Sequence, residues 1–211
     1  MRICAFGDSG VLGHLDPDQL GWAGRLQGLA RREGKPVTVY NLGIRGDSSQ
    51  QVRNRWRAEA DARLPSTDSA ALLFSFGVND ATRIDGGGPR VGVAQSVENF
   101  RAIAREAKAR AATFFVGSFP IGEQNQPSRL GAITMEVRND WIAAVDAQLK
   151  RAAVEEGVPY LSLFEALRDD PDWKAAVSEA DGVHLSPQAH SRVADMVAAW
   201  SPWAELIRSA T

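Results

Sequence analysis

A serine at the tip of a glycine-flanked turn is the first residue in the chain that could do chemistry. Gly7-Asp8-Ser9-Gly10 ends a short apolar run, Ile3-Cys4-Ala5-Phe6. Such a turn could be only a turn, could hold a nucleophile, or could cradle a phosphate. Three later clusters bear on the choice. They are the segment NLGIRGDSSQ, which carries Gly43 and Gly46, the tetrapeptide Gly77-Val78-Asn79-Asp80, and Asp181-Gly182-Val183-His184.

The chemistry of these groups is complementary. A serine hydroxyl is a weak nucleophile until an adjacent base takes its proton. Histidine is the usual base at neutral pH, and a carboxylate fixes its tautomer and stabilises the imidazolium. An attacked carbonyl becomes an oxyanion, which needs preorganised donors. Backbone N–H groups at glycines and an asparagine amide can supply them.

For these residues to meet, the elements between them must bring four distant turns to one edge. Strand-like runs lie at 2–6, 36–42, 70–76, 113–119 and 158–163. Helical periodicity covers 20–33, where Trp22, Leu26, Leu29 and Ala30 share a face. A capping box at Ser48–Gln51 starts a second helix, to about 64. Further helical patterns run over 93–110 and 130–156. Ser186-Pro187 pairs an N-cap with proline at the first helical position, opening a helix to about 200 with a short tail at 202–208. Residues 83–89 (RIDGGGP) read as a loop. Alternating strands and helices, with strands apolar throughout, imply a parallel sheet covered on both faces. Ligands in such sheets bind at the carboxyl ends of the strands, where all these clusters fall.

The four blocks, in this order and across nearly the whole chain, resemble the SGNH hydrolases of the GDSL esterase/lipase family. Gly7-Asp8-Ser9 is similar to the family's first block, Gly46 to its second, Gly77-Val78-Asn79-Asp80 to its third, and Asp181-Gly182-Val183-His184 to its last. Gly-Asp-Ser alone is a weak signal; all four in order are a strong one. The resemblance implies a flavodoxin-like three-layer α/β/α sandwich around a five-stranded parallel sheet, as one domain over residues 1–211. It implies Ser9, His184 and Asp181 as nucleophile, base and acid. Ser9, Gly46 and Asn79 become the oxyanion donors. One departure is visible: the fourth letter of the name motif is usually leucine, and here it is Gly10.

Other residues take plainer roles. Asp8 and Asp80 are expected to hold turns through side-chain-to-backbone hydrogen bonds. Gly43 reads as structural, His190 as structural or solvated, and Cys4 as a buried, inert thiol. His14, Asp16 and Asp18 are metal-ligand types, but an exposed polar loop is the expected reading. Neither a metal nor a cofactor is expected.

Composition bounds the rest. Among 211 residues, 24 basic against 26 acidic residues give a net charge of −2, which argues against a nucleic-acid surface. A single cysteine excludes an internal disulfide framework. No secretory pattern and no apolar run of membrane-spanning length are visible, so a soluble cytoplasmic protein is expected. A chain whose signal had been removed would look the same.

Rival functions separate on residues. An ordinary α/β-hydrolase carries Gly-x-Ser-x-Gly after a later strand, whereas here the serine follows the first. A flavin- or phosphate-binding module would place Asp8 against an anion, and neither glycine-rich phosphate fingerprint opens here. A catalytically inactive relative that binds carbohydrate would lack reason to keep every required residue. The expectation is therefore a serine esterase for a small-molecule ester, with short acyl or acetyl groups. A carbohydrate acetylesterase or an acyl-thioesterase on the same scaffold is the alternative.

Overall fold

The computed structural model describes residues 1–65, 69–178 and 181–210. The chain opens with β1 (Arg2–Gly7), α1 (Ser9–Leu12), α2 (Gly21–Arg32), β2 (Thr38–Gly43), α3 (Ser49–Arg63) and β3 (Ala70–Ser75). Next come α4 (Val78–Ala81), β4 (Arg83–Ile84), α5 (Val93–Lys108), β5 (Ala112–Val116), β6 (Ser128–Leu130) and β7 (Ile133–Glu136). It closes with α6 (Asn139–Glu156), β8 (Tyr160–Leu161), α7 (Leu163–Leu167), α8 (Pro171–Ser178), α9 (Pro187–Ala199) and α10 (Ser201–Ser209).

Five strands form one sheet in the order β2-β1-β3-β5-β8, and every neighbouring pair is parallel. This is the flavodoxin-like order, as the resemblance implied. The chain leaves β1 toward β2 on one side and resumes with β3 on the other. The carboxyl ends of β1 and β3 therefore flank the point where the winding reverses, where such sheets bind ligands.

The two faces are held by aromatic side chains of alternating direction. Phe6, Phe74 and Phe115 share one register line across β1, β3 and β5. Their rings stack at 5.3 and 5.1 Å. Trp56 of α3 packs edge-on against Phe6 and Phe74, and Phe100 of α5 lies 4.2 Å from Phe115. Phe114, one residue earlier, points the other way and meets Trp200 and Trp203 at the α9–α10 corner. Aromatic pairs of this kind add ~0.5–1.5 kcal/mol each beyond the burial of their area.

Several sequence expectations are corrected here. The pattern over 130–156 is helical only from Asn139. Before it, β6 and β7 form a hairpin whose two-residue loop begins with Gly131 in the left-handed region, φ 62°. The good helix formers Met135 and Glu136 hid the β-branched pair Ile133-Thr134. Residues 83–89 are not wholly loop, because β4 adds antiparallel to β7 and makes a small three-stranded sheet. The tail at 202–208 is helix α10, with Pro202 in its first turn and Trp203 and Ile207 buried four residues apart. The fourth and fifth strands are shorter than expected, and α7 and α8 fill a stretch to which the sequence pattern gave no element.

Candidate functional site

The turn after β1 is built by its own side chains. Asp8 has extended backbone and caps α1, its Oδ1 accepting the Gly10 N–H at 2.9 Å. Ser9 is thereby the first residue of a helical turn, and its hydroxyl faces the chain's C-terminal half. Gly43 lies directly beneath: a Cβ there would sit 2.2 Å from the Leu12 nitrogen and 2.7 Å from the Asp8 carbonyl. No side chain fits between the ends of β1 and β2, which gives Gly43 the structural role expected of it. Gly10 packs closely but less tightly, since an added Cβ would meet the Phe119 ring at 3.1 Å. The space beside Gly10 is thus taken by the ring of Phe119, from the segment after β5.

Ser9, His184 and Asp181 form one hydrogen-bonded chain. His184 Nε2 lies 3.1 Å from Ser9 Oγ, and Nδ1 lies 2.6 Å from Asp181 Oδ2. An ionised carboxylate only accepts, so Nδ1 carries the proton and donates. Nε2 is left with its lone pair toward the serine hydroxyl. Asp181 Oδ1 accepts the backbone N–H groups of Val183 and His184 at 2.9 and 2.7 Å. Burial favours the neutral form of Asp181, but these hydrogen bonds outweigh it and hold the carboxyl well below its usual range. Ser186 then caps α9 through the Ala189 N–H, fixing the approach of the His184 segment.

Asn79 and Gly46 belong to the same cluster. Gly77, at φ 140°, turns the chain out of β3 and into α4, which carries Asn79 and Asp80. Asn79 Nδ2 donates to Asp8 Oδ2 at 3.1 Å. Gly46 lies in the left-handed region at φ 81°, with open space around it, so its backbone conformation is what calls for glycine. Arg55 holds the floor, donating to the Gly7 carbonyl and to the buried Asp47 carboxylate at 3.0 and 2.7 Å. Asp80 Oδ1 accepts the Ser49 N–H at 2.7 Å and so ties α4 to the start of α3. Burial raises the pKa of both aspartates, that of Asp8 to about 6.

The other polar residues fall as follows. The loop at 14–18 is exposed at Leu15, Pro17 and Asp18, as expected, but Asp16 within it is buried, accepts the Gly21 N–H and pairs with Arg25, so it anchors α2. His14 stands apart from it, its ring 4.5 Å from the His184 ring in an edge contact. Burial lowers the pKa of His14, with His184 and Arg45 acting in the same direction. His190 is fully buried in α9, the structural one of its two expected roles. Cys4 is buried in β1, and its burial pushes the thiol up to about 12, far from reactive.

Sequence reasoning missed Arg90. It follows the glycine-rich run, and its guanidinium reaches both Asn79 and Gly46. A largely polar cavity of about 400 Å³ opens beside it, lined by Ser48, Gln50, Gln51, Val91, Gly92 and Gln95. No sequence signal distinguished this arginine from a surface one, because its partners lie on two other loops.

The model of the GDSL-like lipase/acylhydrolase family matches residues 5–192. No curated protein matches the chain. Among solved structures, a lipase/acylhydrolase from Enterococcus faecalis superposes with TM-score 0.72 at 21% identity, covering 100% of this chain and 97% of that one. The psychrotrophic esterase EstA from Pseudoalteromonas sp. gives 0.70 at 19% identity, covering 97% and 98%. An acetyl xylan esterase, AlAXEase, gives 0.69 at 17% identity, covering 92% and 96%. At such identities the structural likeness bears on the fold. Among the described residues, no helix is long and apolar enough to cross a membrane.

Proposed function

The chain belongs to the GDSL-like lipase/acylhydrolase family, and from that premise we propose that it hydrolyses carboxylic esters by acyl transfer to Ser9. The observation that carries this reading is the chain of contacts from Asp181 through His184 to Ser9. His184 Nε2 takes the Ser9 proton as Oγ attacks the ester carbonyl. The carbonyl oxygen becomes an oxyanion, received by the N–H groups of Ser9 and Gly46 and by the Asn79 amide. His184 then protonates the leaving alcohol. Water, deprotonated by the same imidazole, attacks the acyl-enzyme, and Ser9 is restored as the acid departs. Asp181 keeps the imidazole oriented and stabilises its cationic form.

The substrate in this reading is a small-molecule ester with a short acyl group. The cavity beside Arg90 is lined by Ser48, Gln50, Gln51 and Gln95, with Val91 its one apolar side chain, and offers a long alkyl chain little to bury against. That polarity, and an acetyl xylan esterase among the structural neighbours, favour acetylated carbohydrate as the second reading.

A neighbouring esterase is described with monoethylphosphonate as its inhibitor, so a phosphonate is the fitting probe. A fluorophosphonate should label Ser9 covalently, and Ser9→Ala should abolish both labelling and hydrolysis across a panel of acyl esters, thioesters and acetylated sugars. An adduct on another serine, or full activity in Ser9→Ala, would overturn the assignment.

A further inference from the structure

One planar guanidinium spans the two loops that carry Asn79 and Gly46. Arg90 Nη1 donates to Asn79 Oδ1 at 3.0 Å, and Nη2 donates to the Gly46 carbonyl at 2.9 Å. Nη2 also lies 3.4 Å from Gln51 Oε1, which itself accepts the Ser48 N–H at the start of α3. The backbone around Arg90 is fixed to the other side of the same site. Its N–H bonds the Thr82 carbonyl at 2.9 Å, and the Val91 N–H bonds the Asp80 carbonyl at 3.1 Å. The segment carrying Arg90 is therefore laced to the α4 turn that carries Asn79.

An asparagine amide is nearly symmetric in shape, and a flip exchanges its donor and acceptor ends. Only one orientation can hold an oxyanion. Here the two ends are labelled by neighbours of opposite kind. Arg90 can only donate, so it selects Oδ1. The Asp8 carboxylate can only accept, so it selects Nδ2. One Nδ2 hydrogen is used by Asp8, and the other is left for a ligand. A cation on Oδ1 also polarises the amide and strengthens its remaining N–H as a donor.

We propose that Arg90 is a positioning residue that sets the orientation of the Asn79 amide and holds the Gly46 loop at the matching distance. It acts on the oxyanion hole without touching the substrate. The proposal rests on Ser9, Gly46 and Asn79 being the oxyanion donors. It assigns to the loop after β4 a task that its glycine-rich sequence does not advertise.

The test is Arg90→Ala, with Arg90→Lys beside it. Arg90→Ala should lower kcat by ~10–100-fold while KM changes by no more than about twofold, the pattern of a group felt only in the transition state. Millimolar guanidinium should restore part of the lost kcat, because the deleted side chain borders an open cavity. In an Asn79→Ala background, Arg90→Ala should cost clearly less than it does alone, since part of its effect passes through that amide. Arg90→Lys keeps the charge but not the fork and should fall between the two; it is also the variant to measure if Arg90→Ala does not fold. Wild-type kcat in either folded variant, a change in KM alone, fully additive losses with Asn79→Ala, or no response to guanidinium would each overturn the proposal. The rate of fluorophosphonate labelling separates this from the esterase reading. Its transition state also places an anionic oxygen in the hole, so Arg90→Ala should slow labelling whatever ester the enzyme prefers. A wild type that labels at Ser9 but cleaves no ester counts against the esterase reading alone.

Discussion

Asn79 donates an amide hydrogen to the buried carboxyl of Asp8 at 3.1 Å, and Asp8 is the residue that caps the turn holding Ser9. A single carboxyl thus sets both the turn of the proposed nucleophile and one end of the proposed oxyanion donor. Its two oxygens are divided between these tasks, Oδ1 to Gly10 and Oδ2 to Asn79.

Asp8→Asn separates the two. The new amide oxygen can keep the Gly10 cap, but its NH₂ then faces the Asn79 NH₂, donor against donor. Turnover should fall by ~10-fold or more with the fold retained, an effect of the size expected for a disturbed oxyanion donor. Steady-state kinetics alongside circular dichroism would check it; unchanged kcat would show that the Asp8 contact does not orient Asn79.

Removing the donor itself should cost more. Asn79→Ala is expected to lower kcat by ~10²–10³-fold with a smaller change in KM. A folded Asn79→Ala protein with wild-type kcat would take Asn79 out of the oxyanion hole.

Stability should depend on pH through two buried groups of opposite sign. His190 is buried, and burial lowers its pKa from 6.5 to about 4. The unfolded chain therefore binds a proton that the native one refuses, and stability is lost as pH falls from about 6.5 toward 4. A shift of that size corresponds to about 3 kcal/mol at the acid end. Asp8 works the other way. Burial raises its pKa from 3.8 to about 6, so its contribution is present at low pH and lost as pH rises through about 6. Urea unfolding of His190→Leu across this range should show a smaller acid loss than wild type. Parallel profiles for the two proteins would mean that His190 is not the group concerned.

The proposed preference for short acyl groups can be tested directly. With a polar cavity beside Arg90, each added methylene should gain far less than the ~0.8 kcal/mol of full burial. The highest kcat/KM is expected for acetyl to butyryl esters, declining by octanoyl. A p-nitrophenyl series from acetate to laurate checks this. A preference for laurate would instead direct attention to Leu12 and Ile44, which are 37% and 45% exposed near the ends of β1 and β2.

Much of this was legible in the residues because it is local. Apolar runs mark the buried strands, and glycine with small polar residues marks the turns beyond them, so the sheet and the four clusters could be placed from sequence. The Ser186-Pro187 start and the Ser48–Gln51 box are likewise short-range signals, and both caps are present. What could not be read depends on partners distant in sequence. The β6–β7 hairpin is completed by β4, some fifty residues earlier by register with Glu136 and Arg83. Arg90 and His14 gain their surroundings only when separate loops meet. Asp16 looked like loop polarity because its guanidinium partner sits on the next helix.

The Ser9–His184 contact has a consequence in time. The two residues stand 175 positions apart. At ~5–20 residues per second, translation leaves the serine roughly 9–35 s ahead of its histidine. His184 is then held by α9, whose buried face must still dock before the imidazole can reach across. Until then the Ser9 hydroxyl has no base beside it. In the proposed mechanism Ser9 therefore gains its base only after α9 has been made and docked, and a chain short of that point carries an unactivated alcohol.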